Sequence, residues 1–170
     1  MESVTDSIVI VTTGGTIDKV YFDAKSEFEV GDSVVERLLA QAHVRQPYEI
    51  VPLMRKDSLE LDDADRAAIR DAIAGRPEQR VVITHGTDTM TDTAAALSGL
   101  DGKTIVLTGA LAPARFAESD AVFNVGMAFG AVQSLPAGTF ICMNGQVFDA
   151  SQVVKDRSRN AFVRRSEQEG

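Results

Sequence analysis

Five short runs of Val, Ile, Leu and Phe punctuate the chain: Ile8–Val11, Ile50–Leu53, Val81–Ile83, Ile105–Leu107 and Phe140–Met143. Each is too short for a helix and apolar at consecutive positions, the pattern of a strand buried on both faces. Between the runs, apolar residues recur at helical spacing. Val34, Val35, Leu38 and Leu39 share one face, and Ala64, Ala67, Ala68, Ala72 and Ile73 share another. Asp62 and Asp63 are suitable caps for that second helix. Two more helices are expected over Asp88–Leu100 and Ala121–Leu135. The alternation predicts an α/β fold: one doubly wound parallel-sheet domain over residues 1–170, three-layered and Rossmann-like or flavodoxin-like. The polar stretch 162–170 reads as a frayed tail.

The 170 residues suit one domain, and 44% hydrophobic with 25% charged residues is ordinary for a globular chain. A net charge of −8 does change the picture. It argues against nucleic acid as a partner, because phosphate contacts need a basic face. Cys142 is the only cysteine, so no intramolecular disulfide and no CxxC metal site is possible. His43 and His85 are too few and too far apart to suggest zinc, and no metal or cofactor is expected. The N-terminal stretch lacks the basic flank of a secretory signal. No run of about 18 apolar residues suggests a membrane span. A cytoplasmic location is the resulting expectation.

In open parallel sheets, ligands bind beyond the carboxyl ends of the strands. Three polar segments fall there: Thr12-Thr13-Gly14-Gly15-Thr16, Lys56-Asp57-Ser58 and Thr84-His85-Gly86-Thr87-Asp88. Two glycines after a buried strand permit a sharp turn with N–H groups facing a ligand. A hydroxyl beside them could attack a carbonyl whose oxyanion those groups hold. A tight turn capped by hydroxyls, with no chemistry, explains the same residues. Asp88 could equally cap the helix it precedes. The dinucleotide signature GxGxxG and the Gly-Lys-Ser/Thr of a P-loop are absent. His85 reads as a hydrogen-bonded structural residue rather than a base, and Cys142 as core.

Thr-Gly-Gly-Thr-Ile with His-Gly-Thr-Asp-Thr-Met about 70 residues on resembles the bacterial-type L-asparaginase family. Val30-Gly31, Asp57-Ser58, Thr108-Gly109-Ala110 with Pro113, Asp120, Phe123-Asn124, Met143-Asn144, Val147, Asp149 and Lys155 extend the resemblance along nearly the whole chain. It covers only the family's N-terminal domain, so the smaller C-terminal domain of full-length members is lacking, and the chain resembles the family's short-chain members. The resemblance implies hydrolysis of L-asparagine to L-aspartate and ammonia, with Thr16 as nucleophile. Thr87, Asp88 and Lys155 would form a second group that polarises or deprotonates. Ser58 and the backbone near Gly15 would hold the α-carboxylate, and Asp88 the α-ammonium. Tyr21, within an expected mobile loop over residues 17–29, would partner the nucleophile, since Phe28 stands where some members place that tyrosine. Family members are oligomers, which implies a homo-oligomer, dimer or tetramer.

Two departures matter. Leu59 follows Ser58 where many members carry a polar residue. Full-length members also complete each site with an acidic residue from a neighbour's second domain, so substrate should be held more weakly here. Lys155-Asp156-Arg157 by itself is a charged run of the kind usually found on a solvated face. Other readings stay open: a broader glutaminase-asparaginase or amidotransferase-type amidase, and a non-catalytic amino-acid-binding module.

Overall fold

The computed structural model describes residues 6–22 and 27–168, with residues 21, 22 and 27–29 described by their backbone alone. The chain opens with β1 (Ile8–Gly14), followed by a 3₁₀ turn over Thr16–Asp18 and a hairpin of β2 (Lys19–Phe22) and β3 (Glu27–Val30). Then come α1 (Val35–Gln41), β4 (Tyr48–Lys56), a 3₁₀ turn over Ser58–Glu60, and α2 (Asp63–Ala74). Next are β5 (Arg80–Thr84), α3 (Met90–Ala96), β6 (Thr104–Thr108), α4 (Ala121–Ser134), β7 (Gly138–Met143) and β8 (Gln146–Asp149). A hairpin of β9 (Val153–Asp156) and β10 (Ala161–Arg164) precedes the short α5 (Arg165–Gln168).

The main sheet runs β4-β1-β5-β6-β7-β8. Its first five strands are parallel and β8 is antiparallel to β7. Alternate residues of the strands feed two separate cores, which is why the strands are apolar throughout. Ile8, Ile10, Val82 and Val106 pack with α1 and α4, whereas Val9, Val11, Val81, Ile83, Ile105 and Leu107 pack with α2 and α3. The expected doubly wound α/β domain is thus the observed one. β4 lies at the sheet edge, where Pro52 lacks an N–H that an inner strand would need. From β1 the chain steps out to β4 and then crosses to β5 on the other side of β1. This reversal opens a crevice between the carboxyl ends of β1 and β5, the usual ligand position in such sheets.

Local chemistry sets the helix boundaries. Asp62 caps α2 in a reciprocal box with Asp65, and Asp63 is the first helical residue. α3 begins at Met90, later than expected, and Asp88 caps nothing.

Two expectations change. The segment over 17–29 is no plain loop: Ile17 is 0% and Asp18 1% exposed, and β2 pairs with β3 over Lys19–Phe22 and Glu27–Val30. Ile17 is drawn in by the core beneath α1 and α4. The stretch 162–170 is not frayed up to Gln168, and residues 169–170 lie outside the described residues. Phe162 joins the core on the α2–α3 side, and Arg164 stacks over the Phe148 ring at 5.3 Å. Arg165 Nε donates to the Ser151 carbonyl at 3.1 Å. The polar surface of these residues hid one buried ring and one stacked cation.

Phe162→Ala should therefore cost about 3 kcal/mol or more in urea unfolding, as for a core aromatic. A tail without packing would leave the midpoint nearly unchanged.

Candidate active site

Three strand ends meet at the crevice with glycines at the points of closest approach. Gly14 and Gly15 have φ values of 102° and 87°, conformations that disfavour any other residue. A Cβ on Gly14 would lie 2.6 Å from the backbone of Lys56 at the end of β4. One on Gly15 would lie 2.4 Å from the Gly86 nitrogen, and one on Gly86 would lie 2.5 Å from Ser58 Cβ. The Gly15 N–H donates to the Lys56 carbonyl at 2.9 Å, and Thr13 Oγ1 donates to the Thr84 carbonyl at 2.7 Å. The β1 turn, the β4 turn and the β5 turn are consequently one contiguous backbone surface. Thr16 stands half-buried directly after it. The Gly15 N–H is already committed, so Gly15 contributes close approach rather than a free donor.

The β9–β10 hairpin brings a lysine to this surface. Lys155 Nζ donates to Thr87 Oγ1 at 2.6 Å and to Asp88 Oδ1 at 2.7 Å, and its side chain is only 10% exposed. Asp88 thus spends one oxygen on Lys155 rather than on a helix terminus, and Arg157 Nε approaches the same oxygen at 3.9 Å. The Asp88 side chain is 32% exposed, enough for a ligand to reach it. Ser58 is buried in its 3₁₀ turn, and its carbonyl accepts the Thr89 hydroxyl at 2.7 Å. Leu59 beside it is 62% exposed and leaves that part of the rim apolar. Gly15, Thr16, Ser58, Thr87, Asp88 and Lys155 therefore share one rim. The Tyr21 side chain lies outside the described residues; its backbone pairs with Phe28 across the β2–β3 hairpin.

Groups not singled out for a role from sequence complete the rim. Lys19 pairs with Asp57 at 3.1 Å, tying the hairpin to the β4 turn. Burial works to raise the Asp57 carboxyl, but the Leu59 N–H and the Lys19 ammonium hold it below its ordinary value. Asp120 accepts from the N–H groups of Leu111 (3.0 Å) and Ala112 (3.1 Å), from Asn124 Nδ2 (2.9 Å) and from Asn144 Nδ2 (2.8 Å). Against the effect of burial, these donors keep its carboxyl below the usual range. The β6–α4 loop fixed in this way touches the Thr16 turn, where the Ala114 N–H donates to the Ile17 carbonyl at 3.1 Å. The spacing of Asp120 and Asn124, one helical turn apart, was the available signal.

His85 is fully buried. Its Nδ1 meets the Gly86 carbonyl at 2.6 Å and its Nε2 meets Thr93 Oγ1 at 2.7 Å. A carbonyl only accepts, so Nδ1 carries the proton and Nε2 accepts from Thr93. Burial pushes the ring down to about 4, so it is neutral at ordinary pH and braces the turn. Burial raises the Cys142 thiol to about 11, as befits a core residue. Among the described residues no group of three or more His, Cys, Asp or Glu side chains converges as a metal site. No described helix is long and apolar enough to cross a membrane. A groove of about 710 Å³ between the end of α3 and the start of β7 holds none of the rim residues.

Fold and rim define a class: a doubly wound α/β domain in which a glycine-lined threonine turn adjoins a Thr–Lys–Asp cluster. The chain belongs to the asparaginase family, matching the family model "Asparaginase, N-terminal" over residues 7–169. It is 30% identical over 166 residues to the glutaminase-asparaginase of Acinetobacter glutaminasificans, covering 88% of this chain and 50% of that one. Over 84 residues it is 39% identical to a glutamyl-tRNA(Gln) amidotransferase polypeptide of Methanococcus vannielii, covering 48% of this chain and 20% of that one. Among solved structures it resembles L-asparaginase I of Vibrio cholerae, with a TM-score of 0.80 and 27% identity over 94% of this chain and 51% of that one. The thermostable L-asparaginase of Thermococcus kodakarensis gives a TM-score of 0.78 and 25% identity over 93% of this chain and 51% of that one. The chain spans about half the length of these structures and of the Acinetobacter relative.

The His85 ring yields a pH prediction. Its folded pKa of about 4 lies below the ordinary 6.5, so the folded protein binds fewer protons there than the unfolded chain. Its contribution to stability is fully present above about 6.5 and is lost as pH falls towards 4. Ring ¹⁵N signals should accordingly keep the neutral, Nδ1-protonated pattern from pH 8 down to pH 5. An imidazolium already formed at pH 6 would contradict the assignment.

Proposed function

We propose that this domain is an amidohydrolase that converts L-asparagine to L-aspartate and ammonia, with Thr16 as nucleophile. The carrying observation is the Lys155 ammonium held by Thr87 and Asp88 on the same rim as the Gly14-Gly15-Thr16 turn. A lysine 10% exposed, delivered by a separate hairpin onto a hydroxyl and a carboxylate, is more than a turn needs. The pair also sits beyond the carboxyl end of β5, where ligands bind in open parallel sheets.

In this reading the substrate α-ammonium pairs with Asp88, while Ser58 and the turn backbone near Gly15 hold the α-carboxylate. A phenolate at Tyr21 takes the Thr16 proton as Thr16 Oγ1 attacks the side-chain amide carbon. The new C–O bond forms and the carbonyl π pair moves to oxygen, where turn N–H groups stabilise it. The adduct collapses by breaking the C–N bond, and the nitrogen takes up the proton and leaves as ammonia. Water then attacks the threonyl ester, releases aspartate and restores the hydroxyl, with Thr87, Asp88 and Lys155 polarising the attacking group. No metal or cofactor enters the reaction as written. The apolar Leu59 leaves few polar contacts for the substrate on its side of the rim, hence loose holding and a high KM.

A broader glutaminase-asparaginase is the second reading, favoured by the name of the Acinetobacter relative. A rim with few distant contacts should position the longer glutamine side chain less accurately, so asparagine is preferred. A homo-oligomer, dimer or tetramer, and a cytoplasmic location belong to the same proposal. Val122 (56% exposed) and Phe123 (62%) form an apolar pair on α4 that a second copy could cover. Sedimentation of a monomer at working concentration would remove the oligomer.

Ammonia release from asparagine and glutamine by the purified chain tests the main proposal. The expected result is turnover of asparagine with a higher kcat/KM than for glutamine, and loss of nearly all turnover in a folded Thr16→Ala protein. Full turnover by that variant would remove Thr16 as nucleophile. Asparagine binding without ammonia release would identify a non-catalytic module.

A further inference from the structure

The turn that carries Thr16 is fastened at a point the reaction does not explain. Thr16–Asp18 is one 3₁₀ turn, closed by the Asp18 N–H on the Gly15 carbonyl at 3.1 Å. The Asp18 carbonyl accepts the Gly31 N–H at 2.9 Å. The β2–β3 hairpin thus leaves from and returns to this residue. Asp18 is also a carboxylic acid that is 1% exposed, in a position where an apolar side chain could fill the space without desolvating a charge. Its Oδ1 accepts the Val34 N–H at 3.0 Å, immediately before α1.

Among the described residues its neighbours are few. The Ser33 hydroxyl and Val34 N–H come from the α1 side, and Thr12 comes from β1. Thr12, Asp18 and Ser33 border a pocket of about 230 Å³, whose far wall includes Arg55 on β4. Arg55 is engaged by Asp32. Arg115, on the β6–α4 loop, is the cation that acts on Asp18. Burial outweighs all of these and pushes the carboxyl up to about 6.

We propose that Asp18 is a positioning residue: its buried carboxyl ties the Thr16 turn to the start of α1, and the charge on that carboxyl decides how firmly the turn is held. The proposal rests on Thr16 being the working hydroxyl. As a carboxylate, Asp18 accepts from Val34 and Ser33 through charge-assisted bonds, which are shorter and stronger than those of a neutral acid. As a neutral acid it holds the turn less tightly, and a small displacement of an attacking atom is expensive in rate. The firm state is also the less stable one. The folded pKa lies above the ordinary 3.8, so the stability contributed by Asp18 is fully present below about 4 and lost as pH rises through about 6. Asp18→Asn keeps an acceptor for Val34, carries no charge at any pH, and escapes that loss.

Two-dimensional ¹H–¹⁵N spectra of the wild-type chain from pH 4.5 to 8 read the turn directly. The amide signals of Thr16, Ile17 and Val34 should shift together with one midpoint near 6, and Asp18→Asn should abolish the shared shift. In the ammonia assay, wild-type kcat should fall roughly tenfold from pH 7.5 to 5 on that midpoint, the scale of a modest loss of near-attack geometry. Asp18→Asn should show no step there and a KM close to wild type. Amides that do not titrate, or a midpoint that persists in Asp18→Asn, overturn the proposal. A shared Thr16–Val34 midpoint in a chain that releases no ammonia supports Asp18 as the anchor while removing the proposed reaction.

Discussion

No side chain fits between the ends of β1, β4 and β5. The Gly14–Lys56, Gly15–Gly86 and Gly86–Ser58 approaches leave less than a methyl group of space, and two of these glycines adopt positive φ. This constraint makes the rim. Three turns that would otherwise stand apart become one surface: the Thr16 turn is placed by backbone contacts to Lys56 and Gly86, and Ser58 packs its side chain directly on Gly86. A site held this way is pre-organised, which is what chemistry on a carbonyl requires.

The rest of the molecule serves that contact. His85, neutral and bonded through both ring nitrogens, braces the β5 turn from below. Asp120 gathers the β6–α4 loop, α4 and the β7–β8 turn around one carboxylate, and that loop in turn supports Ile17. Lys155 arrives on a two-stranded sheet of its own, so its position depends on the packing of Phe162 beneath the same hairpin. The β9–β10 hairpin and the Thr87–Asp88 end of the rim are therefore one structural unit, although 67 residues separate Lys155 from Asp88.

The inner strands were legible because a strand buried on both faces must be apolar at every position, and Val81–Ile83 or Ile105–Leu107 admit few other readings. The rim was legible as a place, because three polar segments follow strand ends, whereas the glycine turn by itself also fits a turn without chemistry. Short edge elements were not. β8 and β10 each bury only part of their side chains, and Val153–Asp156 reads as two apolar residues running into a charged segment. Nothing local distinguishes a lysine that turns inward to Thr87 from one in water; the distinction is tertiary. The case of Asp88 is similar, since a carboxylate before a helix is ordinarily a cap, and only the partner on β9 removes it from that role. The segment after Thr16 looked too polar to be anchored, because a single buried carboxyl and one isoleucine carry the anchoring.

In the proposed reaction the hydroxyl after the glycine turn, and not the one beside Lys155, forms the covalent bond to substrate. Both are threonines, so the choice is directly measurable. The chain would be treated with an asparagine analogue carrying an electrophile in place of its side-chain amide, then digested and mapped by mass spectrometry. One adduct per chain is expected, on Thr16, with protection by free aspartate. An adduct on Thr87 with Thr16 unmodified would contradict it.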